Sequence, residues 1–264
     1  MRYLAPLLTV LWVVLRTVQP CPAADEVLTF AAQEDYAPFQ YYDQQGAPGG
    51  LDVEIIQEAA KLAGVRVSFT LVPWVRALNM AKQGQVDGVF GCGKKTEREE
   101  FLLFPDVPVR HSEMVFFAND RFQGEISNMK DVGDLKVGCI VDYFVSKEFN
   151  EATSINKDFA NSTEALFLKL AANRHPLAVY NRHAGWHMVK KLQIENVRAL
   201  PFVIASYPAY LAFSKSSPKG KLGFEKFSKA LKQLQEDGTI EKKYREYLLN
   251  GRHRSSALQM TRLW

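Results

Sequence analysis

Strand and helix signals alternate through the first third of this chain, and that rhythm restricts the fold more than any other feature. VLTFAAQ, Val27 to Gln33, reads as a strand. From Asp52 to Ala63, Val53, Ile56, Ala60 and Ala63 recur at i, i+3, i+7 and i+10, one face of a helix that Gly64 then stops. VRVSFTLV has the β-branched alternation of a strand. Trp74 to Gln83 reads as a short helix and VDGVFG as the next strand. A βαβαβ order implies a parallel sheet covered by helices. In such sheets ligands sit beyond the carboxyl ends of the strands. Three segments fall on that edge: the loop with Tyr36 and Phe39, the segment with Trp74 and Arg76, and Gly91 to Arg98.

The third segment, GCGKKTEREEFLLFPD, leaves a buried strand through two glycines and at once places Lys94, Lys95 and Arg98. Such a cluster is either a solvated turn, with Arg98 paired to Glu97 or Glu100, or an anion site at the mouth of a cleft. Its place on the ligand-binding edge favours the cleft.

Beyond Pro105 and Pro108 the chain enters an extended run, MVFFAND, and a second α/β series begins with DLKVGCIVDY. A loop at Asp142-Tyr143-Phe144 leads to a helix at about Val145 to Ala152. A weaker strand lies around Lys157 to Ala160, and Ser162 to Ala172 is a helix capped by Asn161 or Ser162. LAVYN is a strand, Ala184 to Leu192 a helix, and YPAYLAFSK a second extended run. Two helices close the series. Phe224, Phe227, Leu231 and Leu234 stripe the first; Ile240, Tyr244, Tyr247 and Leu248 stripe the second, with Gly238 between them. Two extended crossovers between two α/β units make a double hinge, the arrangement of a cleft that closes on a small molecule.

The first 24 residues read as a secretory signal: Arg2 ahead of an apolar Leu4 to Leu15, then Pro20 and Pro22, with Ala23-Ala24 for cleavage. The apolar run is shorter than the ~20 residues of a membrane span. Pro20 makes a poor lipidation signal of Cys21. Removing Arg2 and Arg16 lowers 33 basic residues to 31, against 29 acidic. So small an excess points to no nucleic-acid partner. Cys92 and Cys139 then remain, read as buried small side chains. Five scattered histidines without a Cys/His cluster imply no metal, and no cofactor is expected.

At these residues the chain resembles the bacterial extracellular solute-binding proteins of family 3, the periplasmic receptors of polar amino-acid ABC transporters. YAPF followed by GLDVEIIQEAAKLAG, GQVD, KTER followed by LFPDVP, and EDGTIEKKYREYL carry the likeness, from about Thr29 to Leu249. PWVRAL resembles a subgroup with Pro-Trp-x-Arg after the second strand. The resemblance implies a two-lobed periplasmic-binding-protein fold (type II, the Venus flytrap). Residues 25–112 and 210–250 would form lobe 1, 113–209 lobe 2, and 251–264 a flexible tail. It implies an exported, periplasmic monomer that delivers a small carboxylate or amino acid to the membrane permease of an ABC transporter.

The resemblance also implies that Arg98 clamps the ligand carboxylate, which suits the two parallel bonds a guanidinium offers. Gly91 and Gly93 would let backbone groups approach, and a helix from Lys95 would aim N–H groups the same way. Tyr36, Phe39 and Trp74 would box the ligand, with Arg76, Tyr143 and Asn181 completing the set. Two departures stand out. Lys95 replaces a hydroxyl residue, and the lobe-2 acidic position that pairs with an ammonium falls on Arg182 or, one register away, Asn181. A zwitterion would keep its ammonium unpaired in a closed cleft, so the expected ligand is more anionic than an ordinary amino acid. Two other functions share the fold: an enzyme resembling cyclohexadienyl dehydratase, for which Asp142 and His183 are the candidate acid or base, and a free-standing ligand sensor.

Overall fold

The computed structural model describes residues 27–141 and 143–250. Residues 1–26, on which the signal reading falls, Asp142 and the tail from Gly251 lie outside the described residues, as does the side chain of Leu248. The first series runs β1 (Val27–Gln33), β2 (Tyr41–Tyr42), β3 (Pro48–Gly49), α1 (Leu51–Ala63), β4 (Arg66–Val72), α2 (Trp74–Lys82), β5 (Gly88–Gly93), α3 (Thr96–Glu99) and β6 (Leu102–Leu103). The second runs β7 (Arg110–Asn119), β8 (Lys136–Ile140), α4 (Lys147–Glu151), β9 (Asn156–Ala160), α5 (Thr163–Ala171), β10 (Leu177–Asn181) and α6 (Arg182–Lys191). β11 (Val197–Ser214) returns to α7 (Gly220–Glu236) and α8 (Thr239–Asn250).

The main sheet has the order β4-β1-β5-β11-β7-β10-β8-β9. β1 is parallel to both β4 and β5, and β8 is parallel to both β9 and β10. These are the two predicted parallel units. They meet through the antiparallel pair β7 and β11, which are the two crossovers. β11 pairs with β7 from Val197 to Ala209 and with β5 and β6 from Ala209 to Ser214, so one strand belongs to both lobes. Its register shifts between Ala199 and Val203, between Val203 and Ala205, and between Tyr210 and Ala212. Such irregularities bend a strand.

Local chemistry accounts for the element ends. Gly50 precedes α1 with φ 116°, and a Cβ there would stand 2.3 Å from the Phe39 carbonyl oxygen. Only glycine tolerates that approach. Ser162, not Asn161, caps α5: its Oγ accepts from Ala165 N at 3.1 Å. α6 starts two residues earlier than the apolar pattern suggests because Asn181 caps it. The first lobe's core centres on Phe30, whose ring meets Phe213 and Phe227 edge-on at 5.6 and 5.7 Å. Each buried phenylalanine contributes about 1.5–3 kcal/mol. From the α7 stripe, Phe227, Leu231 and Leu234 are buried and Phe224 packs beside them. Cys92 and Cys139 are buried free thiols, one on β5 and one on β8.

Candidate functional site

The loops at the carboxyl ends of β1 and β8 meet where the lobes face each other. Tyr36 leaves β1 in a turn fixed by its N–H to the Gln40 carbonyl, 3.0 Å. Its hydroxyl lies 2.9 Å from that of Tyr143 on the opposite lobe. Tyr143 stacks on Tyr180 at 5.3 Å, and Tyr180 shares a hydrogen bond with Thr163 Oγ1. Tyr207 reaches the same region from β11. Burial pushes the phenols of Tyr36, Tyr180 and Tyr207 up to about 12. They therefore act as neutral hydrogen-bonding walls.

The basic segment after β5 divides. Lys94 turns outward to a surface ion pair with Glu99 at 3.1 Å. Arg98 turns inward: its Nη1 donates to the Gly93 carbonyl at 2.8 Å, and its Cζ lies 5.3 Å from the Trp74 ring. Lys95 Nζ sits 3.5 Å from the centroid of Phe144 on the other lobe. Burial, then the charge of Arg98, lowers its pKa. Among the described residues neither Lys95 nor Arg98 has a carboxylate at ion-pair distance. Glu97 and Glu100, the surface alternatives for Arg98, do not engage it. α3 is a single turn, too short for the helix N-terminus that the sequence suggested to hold an anion.

A buried ion pair supports this wall. Arg110 Nε donates to both Asp52 oxygens, at 2.9 and 3.1 Å. The Arg110 Cζ stands 3.7 Å over the Phe39 ring. Burial pushes the Asp52 carboxyl up, with Arg110 opposing it. Arg110 Nη1 is buried without an acceptor among the described residues, and so is Gln40 Oε1 without a donor. Sequence reasoning did not find the pair. The partners lie 58 positions apart, and only the Asp of GLDV offered a signal.

Four of the sequence-predicted residues sit elsewhere than expected. Asn181 is wholly buried; its Oδ1 caps α6 by accepting from His183 and Ala184 N–H, and its Nδ2 donates to Ser112. Phe39 is a platform under Arg110, itself buried. Gly91, with φ 66°, faces Gln40 and Asp52, where a Cβ would meet Gln40 Nε2 at 3.1 Å. Arg76 is exposed on α2. Tyr36, Tyr143, Trp74, Gly93, Lys95 and Arg98 come together at the lobe boundary. The neighbouring Arg182 pairs with Glu113 at 2.8 Å, so the carboxylate of this region is already engaged. His183 bonds Tyr244 at 3.0 Å, and burial drives its pKa down to about 3. That environment does not suit the acid or base role considered for it.

Comparison with known proteins bears on this arrangement. The sequence profile of the bacterial extracellular solute-binding proteins, family 3, matches residues 28–250. The L-cystine-binding protein TcyA of Bacillus subtilis (strain 168) is 26% identical over 220 residues, 82% of this chain and 79% of that protein. The arginine-binding extracellular protein ArtP of the same organism is 25% identical over 224 residues, 81% of this chain and 83% of that one. A solved histidine kinase sensor domain with similarity to periplasmic binding proteins superposes with a TM-score of 0.74 at 22% identity. That likeness covers 84% of this chain and 96% of the other, and it is one of fold.

Proposed function

The chain belongs to the bacterial extracellular solute-binding proteins, family 3, and from that premise we propose that it is an exported receptor. It captures a small carboxylate-bearing ligand between its lobes and delivers it to an ABC-type permease in the membrane. In this reading residues 25–112 and 210–250 form one lobe and 113–209 the other.

One observation carries the reading. Two cations, Arg98 and Lys95, stand half-buried at the lobe boundary with no carboxylate at ion-pair distance among the described residues. Arg98 uses Nη1 on the Gly93 carbonyl at the end of β5, and a guanidinium has five N–H donors. The rest can hold a ligand carboxylate by charge-assisted bonds, with Trp74 behind the cation. Lys95 adds a second positive charge and contacts Phe144, so closing the lobes and binding the anion favour each other.

The ligand is more anionic than an ordinary zwitterion. Asn181 is committed to a helix cap and Glu113 to Arg182, so neither is free to receive an ammonium. The relatives named for cystine and arginine keep amino acids among the candidates, but such a ligand would be held chiefly by its carboxylate. Isothermal titration of the mature protein against carboxylates and amino acids tests this. Arg98→Ala is expected to weaken the best ligand at least tenfold. Unchanged affinity removes Arg98 from the site, and a ranking headed by lysine or arginine overturns the anionic preference.

A further inference from the structure

Register places a second arginine in line with the first. Ala209 on β11 pairs with Gly93 on one side and with Arg110 on the other. Residues directly opposite on neighbouring strands share a face. Gly93, Ala209 and Arg110 therefore form one row, two strand spacings or about 10 Å wide. Gly93 and Ala209 put almost no side chain into it. Arg98 closes one end, with Nη1 3.8 Å from where a Gly93 Cβ would stand. Arg110 closes the other. Tyr207 and Ser112, also paired, flank the row on the same face, and Tyr207 senses the charges of both arginines.

The two ends differ chemically. Arg98 has no carboxylate at ion-pair distance among the described residues. Arg110 is neutralised by Asp52 through Nε, while its buried Nη1 keeps a donor without an acceptor. A second carboxylate at that end would bring another anion beside Asp52 in a desolvated place. A neutral oxygen meets the spare donor without that repulsion. We propose that Arg110 is a specificity-determining residue: the ligand's carboxylate lies on Arg98, and an uncharged oxygen at its other end, a carboxamide or ketone, accepts from Arg110 Nη1. Two hydrogen bonds of about 2.9 Å leave roughly 4 Å of the row between the ligand's terminal oxygens, which a flexible chain of up to about five carbons spans when bent. This rests on the reading of Arg98 as the carboxylate receptor.

Isothermal titration with three five-carbon probes tests it: glutaramate (carboxylate and amide), glutarate, and pentanoate. Glutaramate is expected to bind tightest, and pentanoate about 10- to 100-fold more weakly, the loss of one hydrogen bond to a charged donor. The double variant Asp52→Leu/Arg110→Met removes both charges without stranding either, and its preference for glutaramate over pentanoate should fall to within about threefold. Equal wild-type affinity for these two, tighter binding of glutarate, undiminished preference in the double variant, or no binding of any probe at millimolar concentration overturns the proposal. Arg98→Ala separates the two readings. If it weakens all three probes while the distal oxygen has no effect, only the role of Arg110 falls. If it weakens none, the carboxylate receptor falls with it.

Discussion

The hydroxyls of Tyr36 and Tyr143 lie 2.9 Å apart, and their hydrogen bond joins the loop after β1 to the loop after β8. The two residues are 107 positions apart and stand on opposite lobes. A bond that spans the boundary stabilises the closed arrangement and contributes nothing when the lobes part.

Tyr143→Phe should therefore shift closure with little effect on folding. The ring keeps its stack on Tyr180. Only the hydroxyl goes, worth about 0.5–1.5 kcal/mol. Ligand affinity should fall by about two- to tenfold, with the urea midpoint of the ligand-free protein nearly unchanged. Titration calorimetry and X-ray scattering, which reads lobe separation, check the two halves of this expectation.

Asp52 and Arg110 should behave in the opposite manner, as a folding pair. Both side chains are wholly buried. Arg110→Met leaves a buried carboxylate uncompensated, at a cost of about 3–5 kcal/mol. The double variant Asp52→Leu/Arg110→Met should recover most of that loss, because neither charge is then stranded. Equal destabilisation of single and double variants in urea melts would show that packing over Phe39, not charge compensation, dominates at this position.

What the sequence made legible follows from which interactions are local. The helix from Asp52 to Ala63 and the α7 stripe have an apolar period that one turn after another repeats. The GQVD motif was visible as a pattern, and the structure explains it: Asp87 accepts from Thr29 N at 2.7 Å and Thr29 Oγ1 at 3.0 Å, and from Ser217 Oγ. It ties β5 to β1 and to the turn before α7. By contrast, the first half of β11, VRALPFVIAS, showed no clean alternation. Its bulges break the two-residue period, and most of its side chains are half-buried on both faces. Tyr36, Trp74 and Arg98 could be placed on one edge from sequence because the parallel-sheet edge is a local inference. Asn181 was misread because an asparagine before a helix can be a cap or a ligand contact, and only the helix start distinguishes them. Arg110 was invisible because its partner Asp52 comes from α1, 58 positions away, and is brought to it by tertiary packing alone.

His183 should govern part of the acid sensitivity. Its folded pKa is about 3, against about 6.5 in an unfolded chain. Between those values the unfolded state binds the proton and the folded state does not. Stability is then intact above pH ~6.5 and is lost as pH falls toward 3, by up to about 1.4 kcal/mol per unit. His183→Gln cannot titrate. Its thermal stability relative to the wild type should therefore improve steadily as pH is lowered from 7 to 4.5. A constant difference across that range would contradict the burial of a neutral imidazole.

Lys95 carries the last expectation, because its charge and its position act together. It lies against Phe144 across the lobe boundary, and burial and Arg98 both lower its pKa. Lys95→Met should weaken an anionic ligand about three- to tenfold at low salt. The defect should shrink at 0.5 M salt, where screening has already weakened the wild-type attraction. The pH profile supplies a sharper test. A lowered lysine pKa means that affinity falls on the alkaline side at a pH below the ordinary lysine range. The phenols of Tyr36 and Tyr207 titrate only near 12 and cannot produce that fall. Lys95→Arg keeps the positive charge without titrating in this range, so it should abolish the alkaline loss while retaining affinity at neutral pH. An alkaline profile identical in Lys95→Arg and the wild type would take Lys95 out of the anion site and leave it only as a contact for Phe144.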